Sequence, residues 1–348
     1  MNGFWHGLWL IASIELRQRV RGVAWYVLLG VFVLLLLIVT VLLGVTFNVT
    51  TSAAGASGIG AGIFSTIIYF VLLLGTLVAP AVSGNAINGD RESGTLATTQ
   101  VTLVTTAQLV LGKFFAAWLT ALAFLAVSLP FLVVAQVLGG VQGSTIGVST
   151  AVLAVELGVV SAIGVGLSGI IRRPLFSVVV TYLVVAALSL GTLIGFGLGS
   201  IVLERQVTVH SAYNDGAGTC LVQPDYTVPI PAFNQVWWML AANPYVVLAD
   251  AVPIHFVNGG YPDDLFGYIK LGVRSAQLAP VLPTSSSDCT GQGTTSPQPA
   301  PRKIIDSTVP SWFVGLLLQL ALAVAALAFA VRLTRAPARR LAPGSRIA

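Results

Sequence analysis

Histidine and cysteine, which serve most often as general bases, thiol nucleophiles and metal ligands, are scarce in this 348-residue chain, and their spacing argues against a catalytic site. The run 166–169 reads Gly-Leu-Ser-Gly, which would present Ser168 as a nucleophile if a general base lay nearby. The three histidines, His6, His210 and His255, all lie outside the long apolar runs, and a serine without a base is a poor nucleophile. Close packing of helices is the better interpretation of the small residues in this run.

The sequence also lacks the motifs of a metal site and of a nucleotide-binding site. Three scattered histidines and two distant cysteines do not have the spacing of a metal site. The sole Gly-Lys pair, Gly112-Lys113, is followed by Phe114 and has no glycine upstream at the P-loop position. We therefore expect no catalytic residue, metal or cofactor in this chain, and if ATP drives the protein, a different chain hydrolyses it.

The composition is that of an integral membrane protein. Of all residues 56% are hydrophobic and 8% are charged, whereas soluble domains carry about 25% charged residues. Six apolar segments reach the ~20 residues that a helix needs to cross the hydrocarbon core, and their continuity favours helices over β-barrel strands. The sequence predicts an all-α membrane protein whose six spans are residues 23–46, 63–84, 114–138, 147–171, 174–203 and 310–331.

Basic residues cluster on one side of these spans. If the spans alternate, twelve of the seventeen lysines and arginines lie on that side, while loops 47–62 and 139–146 carry no charge. By the positive-inside rule this side is cytoplasmic, so we expect a multi-pass protein of the cell membrane with both termini cytoplasmic. The basic surface then faces membrane lipid and is not a nucleic-acid signature. The twelve residues are Arg17, Arg19, Arg21, Arg91, Lys113, Arg172, Arg173, Arg332, Arg335, Arg339, Arg340 and Arg346.

The predicted spans divide the chain into further segments. Residues 1–22 combine aromatic and basic residues and are interpreted as an interfacial amphipathic helix, with a simple extension of span one as the alternative. Spans one to five occupy residues 23–203. Span six, residues 310–331, is followed by a basic cytoplasmic tail, residues 332–348, which we expect to lie disordered against anionic lipid.

A segment of 106 residues, 204–309, separates spans five and six on the external side. It contains Cys220 and Cys289, and two lone cysteines in an external segment predict a disulfide, with two unpaired thiols as the alternative. Residues 233–256 are apolar but contain Asn243-Pro244. They are interpreted as a pair of short re-entrant helices, since a seventh span would place the C-terminus outside.

Two features within the spans have open interpretations. Glu156 is the one ionisable residue inside a predicted span, where such residues are costly and a function is the default hypothesis. A carboxyl satisfied by a neighbouring helix, or one near the outer interface, is the alternative. In span five, Gly191, Gly195 and Gly199 lie four residues apart, which suits either a dimer seam or packing within the chain.

The most polar stretch of the first two hundred residues follows span two. Asn88-Gly89 predicts a turn, residues 90–96 begin a polar element, and residues 95–111 fit a short helix along the membrane surface. Gly112-Lys113 is expected to turn the chain into span three. A generic charged loop is the alternative interpretation.

Residues 85–113 resemble the cytoplasmic coupling region of ABC-2 type transport permeases and are called the coupling segment below. The family pattern runs roughly Glu-Arg-Glu-x-Gly-Thr-Leu-Glu, then a Ser/Thr-Pro turn, then Gly-Lys. Residues 90–96, Asp-Arg-Glu-Ser-Gly-Thr-Leu, and Gly112-Lys113 match it, whereas Ala97 replaces the usual glutamate and Val104-Thr105 lacks the proline. The interfacial helix, the six spans and the inside termini also fit this family.

The resemblance implies that the chain is the permease subunit of an ATP-driven ABC exporter, without an ATPase motif of its own. A second permease subunit would complete the pathway, and separate cytoplasmic ATPase subunits would hold ATP and Mg²⁺. The alternative function is a membrane-anchored sensor or assembly protein that binds ligands through residues 204–309. The residues implied in coupling to the ATPase are Asp90, Arg91, Glu92, Gly94, Thr95 and Leu96.

Overall fold

The residues that the computed structural model describes include six helices that are long and apolar enough to cross a membrane, which confirms the predicted all-α membrane class and its six spans. The described residues are 2–54, 59–95, 105–138, 140–214, 220–222, 224–257, 260–279, 285–287 and 299–334. In chain order the helices are α1 (Asn2–Arg21), α2 (Val23–Ala54), α3 (Ile59–Ser83), α4 (Asn88–Glu92), α5 (Thr106–Val137), α6 (Gly143–Ile170), α7 (Pro174–Ala186), α8 (Thr192–Val202), α9 (Phe233–Val236), α10 (Trp238–Ala241), α11 (Pro244–Ala251), α12 (Leu265–Ser275), α13 (Pro301–Ser307) and α14 (Trp312–Thr334). Spans one to four are α2, α3, α5 and α6, and span six is α14. Span five consists of α7 and α8 with the π-helical turn Ala187–Gly191 between them.

Local sequence explains where the spans begin. Thr105 caps the start of span three through a capping box with Gln108, so the helix begins at Thr106. Pro174 occupies the first turn of span five, where its missing N–H has no cost. Because span three begins this early, Gly112-Lys113 lies inside the helix, and the predicted turn at this pair was wrong.

Span four forms the centre of the bundle, where it packs against spans two, three and six. Small residues allow the closest approach to span six. A Cβ atom on Gly166 would lie 2.5 Å from the Cβ of Ala326, and one on Gly169 would lie 2.5 Å from the Cβ of Ala330. The run 166–169 therefore serves the close helix packing that the sequence analysis favoured.

Residues 204–309, called the insert, begin with a sheet that the sequence analysis did not predict. Three of its four described strands have five residues or fewer, too few for a clear hydrophobic alternation. Strand β1 (Arg205–Asn214) pairs antiparallel with β2 (Cys220–Val222) and β3 (Tyr226–Ile230), and parallel with β4 (Ser285–Ser287). The all-α class thus describes the spans, and the short helices α9 to α13 complete the described part of the insert.

The two ends of the bundle differ in chemistry. Helix α1 packs along span three, and α4 connects the end of span two with the end of span four. We call this the basic end, since it also holds Arg172, Arg173 and Arg332. The insert lies at the opposite end, which we call the insert end.

Candidate functional site

The turn that follows span two is fastened to the end of span four. The buried hydroxyl of Ser168 accepts the backbone N–H groups of Ile87 and Asn88, at 3.0 and 3.1 Å. The amide of Asn88 donates to the carbonyl of Ile171 at 2.7 Å. Ser168 therefore anchors a turn, which agrees with the absence of a general base in the sequence.

Arg91 points back into the bundle from α4. Its guanidinium donates to the carbonyl of Gly169 at 2.9 Å and to the side chain of Asn88 at 2.8 Å, with a longer contact of 3.4 Å to the carbonyl of Ser168. The last carbonyls of a helix have no partner within the helix, and a cation is stabilised beside them. Arg91 thus binds the C-terminal end of span four and braces the coupling segment.

Lys113 is the centre of a charged cluster that joins three helices. Its side chain is only 2% exposed, and its Nζ pairs with Asp90 Oδ2 at 2.8 Å and with Glu15 Oε1. Arg19 flanks Glu15 at 3.9 Å and donates to the hydroxyl of Thr120 at 3.1 Å. We call Glu15, Asp90 and Lys113 the ion-pair cluster, because they connect α1, the coupling segment and span three.

The sequence analysis matched Lys113 to the family pattern but did not find its partner Glu15. The signal was present, since Glu15 is the sole acid in the first 89 residues and sits among basic ones. The contact between them depends on how closely α1 approaches span three. Gly112 permits that approach, because a Cβ atom there would lie 2.8 Å from the Cβ of Ile11 and 3.0 Å from the carbonyl oxygen of Leu8.

Among the described residues of the coupling segment, those that follow Arg91 as far as Thr95 are exposed. Glu92, Gly94 and Thr95 all lie at the surface, and Gly94 has a φ of 70°, a backbone conformation that favours glycine. We call these three residues the exposed rim. Leu96 lies outside the described residues, as do Ala97 and Val104.

Thr105 accounts for one departure from the family pattern. Its backbone N–H donates to Gln108 Oε1 at 2.7 Å, and its hydroxyl accepts the N–H of Gln108 at 3.3 Å. The amide of Gln108 then reaches the carbonyls of Gly3 and Phe4 at the start of α1. A proline at position 105 would have no N–H for this capping box.

Comparison with known families identifies the chain. The family described as ABC-2 family transporter protein matches residues 9–235, well over half of the chain and including most of α1, the coupling segment and spans one to five. The chain belongs to this ABC-2 transporter family. No curated protein matches the sequence.

At the insert end of this ABC-2 transporter, the run Asn243-Pro244-Tyr245 and its neighbour Ala242 form hydrogen bonds with three spans. The amide of Asn243 donates to the carbonyl of Ser189 at 2.7 Å, in the π-helical turn of span five, and to the hydroxyl of Thr192 at 2.9 Å. The phenol of Tyr69 in span two donates to the carbonyl of Tyr245 at 3.1 Å. Span six contributes the amide of Gln319, which donates to the carbonyl of Ala242 at 3.0 Å.

A buried carboxylate connects the same part of the insert to the start of span six. Asp250 Oδ1 accepts from Arg274 Nε at 2.7 Å, and Oδ2 accepts the backbone N–H groups of Ser311 and Trp312 at 2.6 and 3.0 Å. A carboxylate at a helix N-terminus satisfies donors that have no partner within the helix. Asp250 therefore caps span six and holds it against α11. Burial lowers the pKa of Lys270, whose ammonium donates to the Asp250 carbonyl.

Asp264 caps α12 in the same region. Its Oδ1 accepts the backbone N–H of Gly267 at 2.7 Å. Burial raises the pKa of Asp264 to about 6, the backbone hydrogen bond from Gly267 opposes this shift, and the neighbouring carboxylate of Asp263 adds to it.

The glycine stripe of span five packs within the transporter chain. A Cβ atom on Gly195 would lie 3.4 Å from the sulfur of Met239, and one on Gly199 would lie 3.3 Å from Val236. Of the two interpretations left open, the structure favours packing against the insert helices for these two glycines.

Glu156 lies at the middle of span four, fourteenth of its 28 residues. It is 1% exposed, and neither carboxyl oxygen has a hydrogen-bond partner among the residues that the structure describes. Both alternatives, a satisfied carboxyl and a position near the outer interface, disagree with this geometry.

The predicted disulfide stays a prediction, because Cys289 and the side chain of Cys220 lie outside the described part of the chain.

Proposed function

We propose that this ABC-2 transporter is the permease subunit of an ATP-driven exporter whose separate ATPase subunit docks on the coupling segment. The observation that carries the proposal is the attachment of this segment. Hydrogen bonds to Ser168 and Gly169 join it to span four, and the ion-pair cluster joins it to α1 and span three. A displacement of the segment is therefore transmitted to three helices and is not absorbed in a loop.

The residues that the resemblance implies in coupling fall into two roles. Asp90 and Arg91 bind other parts of the bundle, so they brace the segment from within. Glu92, Gly94 and Thr95 form the exposed rim, so they contact the ATPase, together with Leu96 as the resemblance implies. Charged residues at the edge of such an interface provide register and specificity.

In this proposal the protein spans the cell membrane and its basic end lies on the cytoplasmic side. The support is the excess of lysine and arginine at this end and their absence from the loops 47–62 and 139–146. ABC-2 permeases are membrane transport subunits and are generally not enzymes. The missing P-loop agrees with ATP and Mg²⁺ being held by the partner ATPase.

A groove between spans two and five supports the placement of the pathway. Its volume is about 380 Å³, within the range of small-molecule sites, and its lining is apolar except for a few hydroxyl groups. The hydroxyls belong to Thr76, Tyr182, Ser189 and Tyr245. We place the pathway along this groove, with a second permease subunit closing it, and a substrate that is largely apolar with few polar groups.

Co-purification tests the proposal directly. The chain, expressed with a candidate ABC ATPase subunit from the same organism and reconstituted in lipid, should retain the ATPase and stimulate its ATP turnover. Glu92→Lys reverses a charge on the exposed rim and should reduce this association at least tenfold. Asp306→Lys reverses an exposed acid at the insert end and is the matched control.

Two outcomes would contradict the proposal. If no ATPase is retained by the wild-type chain, the sensor or assembly alternative, with ligands bound by residues 204–309, becomes the better interpretation. If Glu92→Lys and Asp306→Lys retain the ATPase equally, the docking surface lies elsewhere.

A further inference from the structure

The carboxyl of Glu156 lies far from both ends of its helix. At 1.5 Å of rise per residue, the middle of a 28-residue helix is about 20 Å from either end. Every residue from Glu156 to Gly166 is buried. Its neighbours in span four pack tightly on the surrounding spans, because Leu157 lies over Gly75 of span two and Gly158 lies against Trp118 of span three.

No cation faces this carboxyl from the elements packed against span four. Lys113 is bound to Asp90 and Glu15, Asp250 is bound to Arg274, and Arg332 is exposed at the basic end. The three phenols nearby all bond to groups other than Glu156. The titratable residues on these elements, as far as the structure describes them, are Tyr69, Lys113, Tyr182, Tyr245, Asp250 and Arg332.

An ionised carboxylate in this environment would be both desolvated and unpaired. Taking an ion out of water is costly, and without a counter-charge or hydrogen bond nothing offsets that cost. A carboxylic acid avoids most of the cost by keeping its proton. The geometry therefore requires the neutral form of Glu156 in this conformation.

Span four is also the helix to which the coupling segment is fastened. Ser168, Gly169 and Ile171 accept the hydrogen bonds of Asn88 and Arg91 at its end. Glu156 lies twelve residues before Ser168, or about 18 Å along the same helix. A movement of the coupling segment is thus transmitted along span four to the buried carboxyl.

We propose that Glu156 is a proton-binding site of the transporter, occupied in this conformation and emptied when span four shifts during the transport cycle. On emptying, the O–H bond of the acid breaks and the proton passes to a water molecule that has reached the side chain; rebinding reverses this step. Proton binding then favours the present conformation, since a ligand stabilises the state that binds it. The emptying step depends on the function proposed above, whereas the occupancy does not.

Infrared difference spectroscopy tests the occupancy on the full chain in lipid nanodiscs. The spectrum of the wild type minus that of Glu156→Gln should show one protonated carboxylic-acid band at neutral pH. The spectrum of Glu92→Gln, which lacks one exposed carboxylate, should still contain this acid band. If the wild type shows only a carboxylate band for Glu156, the proton site is refuted. Should Glu156→Gln fail to fold, Glu156→Met provides the reference spectrum.

A second comparison tests the emptying. When the ATPase is bound and locked with a non-hydrolysable ATP analogue, most of the acid band should disappear and a carboxylate band should replace it. An unchanged acid band in a complex that has formed overturns the exchange. Failure of the ATPase to bind refutes the proposed function, and the first comparison then decides the proton site by itself.

Discussion

Replacing Lys113 by methionine tests whether the ion-pair cluster holds α1, the coupling segment and span three together. Methionine is close to lysine in length, so the substitution removes the charge and leaves the volume nearly unchanged. The ammonium is 2% exposed and binds two carboxylates, and hydrogen bonds that involve charged groups contribute about 1.5–3 kcal/mol each. Glu15 and Asp90 are 19% and 24% exposed, so water recovers part of this loss. We expect Lys113→Met to lower the free energy of unfolding by about 2–4 kcal/mol, near the range for breaking a buried pair.

The assay is unfolding in mixed detergent micelles, followed by the helical signal and compared with a matched control. Lys303→Met removes an exposed lysine of α13 at the insert end and should change stability by less than about 0.5 kcal/mol. Combining Lys113→Met with Asp90→Asn completes a double-mutant cycle. Since the two side chains are in contact, we expect a coupling of about 1–2 kcal/mol.

Three results would contradict this reasoning. Equal stability of Lys113→Met and Lys303→Met would mean that the cluster contributes nothing to the bundle. Additive effects of Lys113→Met and Asp90→Asn would mean that the ion pair does not join the coupling segment to span three. Strong weakening of the coupling by added salt would also disagree with the burial of the ammonium, because buried pairs are screened much less than exposed ones.

Three further predictions follow from contacts elsewhere in the bundle. Arg91→Glu places a carboxylate beside the carbonyls at the end of span four. It should lower the free energy of unfolding by about 1–3 kcal/mol and abolish stimulation of the ATPase. Normal stimulation in the ATP-turnover assay would contradict the bracing role of Arg91. Gly166→Val forces span six away, since a Cβ atom at this position would lie 2.5 Å from the Cβ of Ala326. It should lower the free energy of unfolding by about 1–3 kcal/mol, as measured by thermal unfolding. Its control is Gly147→Val, where a Cβ atom would meet nothing within 4 Å and stability should not change. Burial raises the pKa of Asp264 from 3.8 to about 6, so the folded state binds more protons in this range and stability should fall as pH rises through it. Asp264→Asn should remove that part of the decline while keeping the cap, and identical pH profiles of melting temperature would show the assignment to be wrong.

The polar residues of the site could be identified from the sequence, but the directions in which their side chains point could not. Asp90 and Arg91 were interpreted together with Glu92 as residues that act on a partner. In the structure the first two bind other helices, and only Glu92 is exposed among these three. Direction depends on how α4 is rotated against span four, and that rotation is determined by contacts with Ser168 and Ile171, some eighty residues further along the chain.

The insert shows the same limit. Its apolar stretch and the Asn243-Pro244 pair predicted short helices, yet the sequence did not indicate that Asn243 would bind the π-helical turn of span five or that Asp250 would cap span six. The sheet was missed because three of its described strands have five residues or fewer and because β4 pairs with a part of β1 that is 75 residues away in the chain. Burial of Asp250 depends on its distant partners Arg274 and Ser311.

By itself the sequence determined the six spans and the membrane class, because a chain in lipid must satisfy its backbone hydrogen bonds within each segment, and a continuous apolar run permits only a helix. It also determined where most basic residues collect, since the predicted spans contain no lysine or arginine and twelve of the seventeen lie on one side of them if the spans alternate. Only the tertiary structure decided which charges meet. Glu15 and Lys113 are 98 residues apart and become partners because Gly112 lets α1 approach span three. Glu156 has no partner among the described residues for the same reason: the presence or absence of a contact depends on how the helices pack, and residue types along one chain do not specify that packing.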